Sequence, residues 1–465
     1  MARFGRRNRS STRLAGFLSA AWLLVFAHCT VPAAAAGSSD LSGIDLSCPG
    51  CNIILLNIEL LRADYVGVND AAAGRSNTPN IDRFFSRSIV FEDVAAPAGE
   101  SYRSNLSVQT AMQAFHYRAS EKEIHGFIGE WGDETYTGTN KRIAEMVTRY
   151  PAMAEYFQAA GFHTVSMNQG IRGGRYLLLD RGFDEIVNWS RQRIPFPTTV
   201  NDLVAVLKSR ENSPLLVHYR PEILHPFPYY YPESRARITA PGKIYNSHRP
   251  RFNRYSIRFS PSLPDEEKRE VHHRVYAQQV RYMDDELGAV FTAIREEGLD
   301  KNSVIVLYAN HGSGLGDNGV DKLAVSYQSC IHVPLLIGHP RIKESIRVKT
   351  PVPLIDLVPT LLDMAGLEPG DHFEGASLLR SLEENEPHPY LVGRNDYDEY
   401  IRKDALKLII KNGEFPELYN VAEDPHETRD LKYSLPVETR VLKTALDRVK
   451  LSILRKDAAT TRLPE

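Results

Sequence analysis

The sequence has little cysteine, with four residues in 465, one of them at position 29. That excludes a disulfide-built scaffold. The single Cys48/Cys51 spacing lacks the second Cys or His pair that a structural zinc requires, so a short disulfide is expected there. Cys330, beside the strand-like run VPLL, is expected to be a buried thiol. An excess of charge of one sign is also missing. Lys and Arg number 56 against 58 Asp and Glu, a formal net charge of −2. A chain so balanced is not built to bind polyanions, and nucleic acid is excluded as a partner. There are no internal repeats. Beyond the first 36 residues no apolar run approaches the ~20 residues a membrane span needs.

The N-terminus is present as a distinct segment. Arg3, Arg6, Arg7, Arg9 and Arg13 precede the run LAGFLSAAWLLVFA, and the small-residue stretch VPAAAAG follows. This is the layout of a secretory signal peptide over residues 1–36, cleaved after Ala36. An uncleaved anchor, a lipid on Cys29 and a twin-arginine route are the alternatives. Removing five arginines and no acid takes the formal charge from −2 to −7. An exported chain, periplasmic or secreted, is expected.

Apolar runs bounded by polar turns recur at 52–58, 88–94, 163–168, 214–219, 303–309 and 333–338. Segments of helical period lie between them: TPNIDRFFSRS, PAMAEYFQAAG, TVNDLVAVLKSR and a long stretch from Pro264 to Gly298. His272 and His273 on that stretch read as surface or packing residues. Continuous apolar strands alternating with amphipathic helices predict an α/β fold around a mostly parallel central sheet. After residue 385 the runs shorten to YLVG, ALKLIIKNG and FPELYNV before a last helix. A smaller C-terminal α+β subdomain over 386–465 is therefore expected to follow a main domain over 48–385. Residues 234–260 are rich in Arg, Lys, Tyr and Phe and hold no acid. They read equally as a solvated insertion loop or as a rim attracting an anionic substrate or headgroup.

In open α/β sheets ligands bind beyond the carboxyl ends of the strands, so the residues following each strand carry the chemistry. Strand 52–58 ends at Glu59, strand 214–219 leads to His225, and strand 303–309 ends at Asn310 and His311. Strand 88–94 leads to Ser101 in the stretch APAGESYRSNLSVQT. That stretch has no helical or strand period before Leu106, and a solvated loop and a segment carrying a nucleophile are both open. Singly, Glu59 could pair with Arg62 and Ser101 could cap a helix. Together a carboxylate, a hydroxyl, an amide and an imidazole could surround one cation, which would activate the hydroxyl and neutralise an ester's non-bridging oxygens.

The blocks NIILLNIELLRADYVGV, NTPNIDRFFSRSIVFEDVAAPA, LDRGFDEIV, YANHGSGLGDNG, HVPLLIGHP, PLIDLVPTLLDMAGL and ELYNVAEDPHETRDL resemble, in order, those of the sulfatase family within the alkaline phosphatase superfamily. The resemblance implies an alkaline-phosphatase-like sandwich and one divalent metal ion, Ca²⁺, Mn²⁺ or Mg²⁺. It implies Glu59, Ser101, Asn310 and His311 as the metal set, with Leu60 and Asn310 where acids are usual. It also implies Ser101 at the catalytic position, His225 as proton donor and Lys322 as a contact to the transferred group, with His332 a weaker candidate. The signature that directs oxidation to formylglycine would need Pro or Ala at 103 and Arg at 105, and this chain has Arg103 and Asn105. By proximity alone, Arg103 is a candidate for stabilising equatorial oxygens.

A formylglycine hydrate has a second hydroxyl with which to expel sulfate. An unmodified serine must await a second displacement, which suits phosphoryl better than sulfuryl intermediates. The expectation is a sulfatase-family hydrolase or transferase of sulfate or phosphate esters, with phosphoryl chemistry slightly favoured. The alternatives are a degenerate fold serving as a binding protein and a sulfuric ester hydrolase with Ser101 oxidised. The expected partner is an anionic ester on a glycan or lipid headgroup, with contact to a membrane surface as a further option.

Overall fold

The structure, a computed structural model, describes residues 41, 44–69, 76–119, 123, 145–146, 148–169, 180–189, 196–209, 213–224, 229–230, 244–249, 254–320, 325–383 and 388–460. Residues 1–36, on which the signal-peptide expectation falls, His225 and Lys322 lie outside these described residues.

In chain order the strands are β1 (Asn52–Asn57), β2 (Ile89–Phe91), β3 (Val94–Ala95), β4 (His163–Asn168), β5 (Glu185–Asn188), β6 (Leu215–Arg220), β7 (Tyr229–Tyr230), β8 (Ile244–Arg249) and β9 (Arg254–Phe259). They continue with β10 (Ser303–Tyr308), β11 (Leu335–Gly338), β12 (Ile346–Val348), β13 (Val352–Pro353), β14 (Leu391–Arg394), β15 (Asp398–Lys403), β16 (Leu406–Lys411) and β17 (Phe415–Asn420). Eight of them form the central sheet in the order β12-β2-β11-β10-β1-β6-β4-β5. Only β11 runs against its neighbours, pairing antiparallel with β10 and β2. All six residues of β1, of β6 and of β10 are buried, so both faces of these strands are covered. That is why they read as unbroken apolar runs and not as alternating ones. Each expected apolar run carries a strand, with the run 88–94 divided between β2 and β3.

The helices follow from their sequences. Helix α1 (Pro79–Phe84) begins with Pro at its first turn, where the missing N–H costs nothing. Its free amides at Asn80 and Ile81 donate to the Asp284 carboxylate at 2.9 and 2.8 Å. Asp284 sits on the long helix Asp265–Glu296, which starts with Asp265, Glu266 and Glu267 and has Arg295 in its last turn. This order matches the helix dipole. Val271, Val275, Gln279, Met283, Leu287, Val290 and Ile294 recur at intervals of three and four along its buried stripe.

Strands β14 to β17 form a four-stranded antiparallel sheet, and the C-terminal helix Pro436–Thr460 packs on β15 and β16. Together they build a second apolar core around Ile401, Leu408, Leu418, Leu442 and Leu446. Tyr400 and Tyr419 extend this sheet into the main core. Part of the basic insertion differs from the loop reading: β7, β9 and β8 pair antiparallel in a small sheet. Cys48 and Cys51 form a disulfide, and Cys330 is a buried thiol outside any disulfide, pushed up to about 12 by burial. No helix of the described residues is long and apolar enough to cross a membrane.

Candidate active site

Strands β10, β1, β6 and β4 are neighbours and parallel, so their carboxyl ends open on one edge of the sheet. Adjacent strands lie ~4.8 Å apart, close enough for the residues that follow them to touch. Glu59 comes just after β1, Asn310 and His311 come just after β10, Arg220 ends β6 and Asn168 ends β4.

Ser101 reaches this edge from the first turn of helix α2 (Ser101–Thr110). The segment has no apolar period because nine of its ten residues are buried. Its polar side chains are held by specific bonds in place of water. Ser104 Oγ donates to the Asn310 carbonyl at 2.5 Å. Thr110 Oγ1 donates to the Leu106 carbonyl at 2.7 Å. Asn105, one turn on from Ser101, donates to the Ser101 carbonyl at 2.8 Å and accepts from Asn57 at 3.2 Å. The loop reading of this stretch therefore gives way to a buried helix whose N-terminal dipole favours negative charge on the Ser101 oxygen.

At the site Ser101 Oγ bonds to Glu59 Oε1 and lies 3.0 Å from His311 Nε2, with His311 Nε2 3.7 Å from Glu59 Oε1. Glu59, Asn310 and His311 are buried. The other imidazole nitrogen, His311 Nδ1, lies 2.8 Å from the Gly312 carbonyl, which can only accept, so Nδ1 carries a proton. In the neutral ring Nε2 presents its lone pair to Ser101. Glu59 Oε2 is in turn bound by Arg220 Nη1 at 2.6 Å, and the carboxylate is ionised. Behind the pair, Asn168 Oδ1 accepts from Arg220 Nε at 3.4 Å. His218, two residues before Arg220, is pushed down to about 3 by burial and then by the Arg220 charge, and its neutral ring meets the Tyr308 hydroxyl at 3.1 Å.

These contacts bear on a metal. Glu59 Oε1, Ser101 Oγ and His311 Nε2 are three lone-pair atoms sharing one proton, an arrangement that a cation between them relieves. The Asn310 amide is fully buried and makes no hydrogen bond among the described residues. A buried orphan amide is costly unless something binds it, and its oxygen is an acceptable ligand for a hard cation. The residues present therefore fit a divalent ion. No group of three or more His, Cys, Asp and Glu able to hold a metal occurs among the described residues. This set has only Glu59 and His311 of those types and depends on Ser101 and Asn310 for the rest.

Arg103 does not join the site. Two positions on from Ser101, it points to another side of α2 and is 1% exposed. Its Nη1 pairs with Glu100, its Nη2 with Asp396 at 2.5 Å and the Ala119 carbonyl at 2.7 Å, and its Nε with the Tyr117 carbonyl at 2.9 Å. Burial opposes its charge, but Glu100 and Asp396 outweigh burial and hold the guanidinium protonated. The expectation that it stabilises equatorial oxygens is corrected on this geometry. His332 Nε2 bonds instead to the Glu92 carbonyl at 3.0 Å. His273 bonds to Asp317 at 2.9 Å and to the Tyr65 hydroxyl at 2.6 Å. The residue missed from the sequence is Arg220. Arg220 directly follows the apolar run 214–219, so the first residue beyond that run, and not His225 alone, was the signal for it.

The family model described as Sulfatase matches residues 51–367. A sulfatase of Formosa agariphila is 30% identical over 159 residues, which is 33% of this chain and 31% of that protein. The chain thus spans about a third of the length of the first curated relatives it matches. Among solved structures, a protein in complex with its substrate D-glucosamine-2-N,6-O-disulfate superposes with a TM-score of 0.65 at 16% identity, covering 86% of this chain and 97% of the other. The phosphonate monoester hydrolase of Agrobacterium radiobacter superposes with a TM-score of 0.60 at 16% identity, covering 88% and 95%. These two likenesses show the fold. The match of the family model to more than half of the sequence establishes that this chain belongs to the sulfatase family.

Proposed function

We propose that the chain is an ester hydrolase or transferase in which unmodified Ser101 attacks a phosphate or sulfate ester, with phosphoryl transfer favoured. The observation that carries this reading is the Ser101 hydroxyl at the start of α2, between the ionised Glu59 carboxylate and the His311 Nε2 lone pair. Glu59, Ser101, His311 and the Asn310 amide would hold the divalent ion. When bound, that ion supplies Lewis acidity that favours the serine oxyanion and offsets charge on the ester.

Each remaining step falls to the chain. Glu59, which already receives the Ser101 hydroxyl and keeps carboxylate lone pairs beyond the one that would hold the ion, is placed to accept the Ser101 proton as Oγ bonds to the central atom and the bond to the leaving oxygen breaks. The peptide dipoles at the start of α2 favour the charge developing there. By family resemblance, His225 protonates the leaving oxygen and Lys322 meets the transferred group. Water or an acceptor alcohol then attacks the serine ester and restores the hydroxyl.

Arg103 and Asn105 remove the cue for formylglycine, which supports phosphorus over sulfur. The disulfated sugar of one structural neighbour and the phosphonate monoester chemistry of another support an anionic ester, carried on a glycan or lipid headgroup. Export to a periplasmic or extracellular space belongs to the same proposal, and an N-terminus at Gly37 in the isolated protein would support it.

The test is peptide mapping of residues 97–118 after incubation with aryl phosphate and aryl sulfate. A phosphoryl group on Ser101 is expected. Loss of two hydrogens at Ser101 would instead support formylglycine. No adduct, with turnover unchanged in Ser101→Ala, would overturn the proposal and leave a binding protein.

A further inference from the structure

The carboxylate facing Ser101 is matched by a buried guanidinium. Glu59 and Arg220 side chains are 2% and 5% exposed and meet at 2.6 Å. Arg220 is fixed by the sheet: Asn168 lies opposite it in register, accepts from its Nε, and donates to Asp180 at 3.1 Å. Glu59 Oε2 is committed to Arg220 and Oε1 faces Ser101 and His311. Around the reacting hydroxyl, Glu59 and Arg220 cancel, His311 presents a lone pair, and Asn310 is an amide. Among the described residues, a divalent cation entering before Ser101 ionises gains dipoles and lone pairs from these groups but no net opposite charge. Retention of such an ion in a water-poor setting depends on compensating charge.

Resting on the function proposed above, we propose that Arg220 is a positioning residue that makes divalent-cation binding depend on the anionic ester. By fixing and neutralising Glu59, it leaves the substrate's charge as the counter-ion, so cation and ester bind together. The coupling is reciprocal: each raises the affinity of the other by the same factor. Its consequence is a site that holds its metal weakly between turnovers and tightly while an ester is bound.

Equilibrium titration with Mn²⁺, followed by its paramagnetic resonance, tests this with inorganic phosphate as the anion. In the wild type, phosphate should lower the Mn²⁺ Kd at least about tenfold. Arg220→Met should bind Mn²⁺ at least about tenfold more tightly than wild type without phosphate, and should lose most of the coupling. Arg220→Lys, which keeps the charge, should retain it. Asn310→Asp adds an anion without touching Arg220 and should likewise make Mn²⁺ binding independent of phosphate, which keeps the test open should Arg220→Met fail to fold. Tight Mn²⁺ binding by the wild type without phosphate, or an unchanged affinity in folded Arg220→Met, would overturn the inference and leave Ser101 chemistry intact. Absence of Mn²⁺ binding under every condition would overturn it together with the metal part of the proposed function.

Discussion

Replacing Arg103 by Met separates a structural arginine from a catalytic one. The side chain is nearly isosteric along its stem, so the change chiefly removes the guanidinium. Two carboxylates then lose their shared cation: Glu100, 4% exposed, and Asp396, 12% exposed. The Tyr117 and Ala119 carbonyls lose donors at 2.9 and 2.7 Å. Removing one partner of a buried pair costs about 3–5 kcal/mol, because the remaining charge stays buried and uncompensated. Arg103→Met should therefore melt several degrees below wild type. Glu100→Gln combined with Arg103→Met should recover part of that loss, since one stranded charge is gone. At a temperature where the variant is folded, KM for an aryl phosphate should be unchanged. A variant that melts like wild type, or one that is stable but has a sharply raised KM, would refute the assignment of Arg103 to the scaffold.

Burial raises Asp284 to about 6 from the ordinary 3.8. The folded chain then holds this proton more tightly than the unfolded one, so stability should fall by about 3 kcal/mol as pH rises from about 4 to about 6 and be level above. Denaturation across that range should show a flatter profile for Asp284→Asn, and identical profiles would dismiss the argument. At Gly312 an added Cβ would collide with the Ser329 carbonyl and press on Arg62. Gly312→Ala should displace His311 and depress both melting temperature and Ser101 adduct formation, whereas a fully active alanine variant would refute the close approach. The Cys48–Cys51 bridge closes a very short loop, so its replacement by two serines should cost no more than about 2 kcal/mol by thermal melting. A larger loss would mean that the bridge does more than restrict the unfolded chain.

The central sheet was legible because fully buried parallel strands must be apolar at every position, and β1, β6 and β10 are. Glu59, Asn310 and His311 were legible for a related reason: they immediately follow such strands, and topology brings those ends together. Helix α2 was not. Periodicity reports an element with one wet face, and Ser104, Asn105 and Thr110 are buried through bonds to groups distant in sequence or on their own helix. The pairing of Glu59 with Arg220 was hidden because the two residues are 161 apart along the chain and meet only through strand adjacency. Arg103 was misread because distance in sequence from Ser101 says nothing about which side of a helix a residue occupies.

The way α2 is anchored also fixes what this chain can become. Acquiring the formylglycine signature would require Pro or Ala at 103 and Arg at 105. The first change removes the cation that binds Glu100 to Asp396, and the second removes the amide that ties Ser101 to Asn57 on β1. The two positions that once read as a missing label are now structural supports. Those two substitutions alone therefore cost stability before maturation of the serine is ever in question.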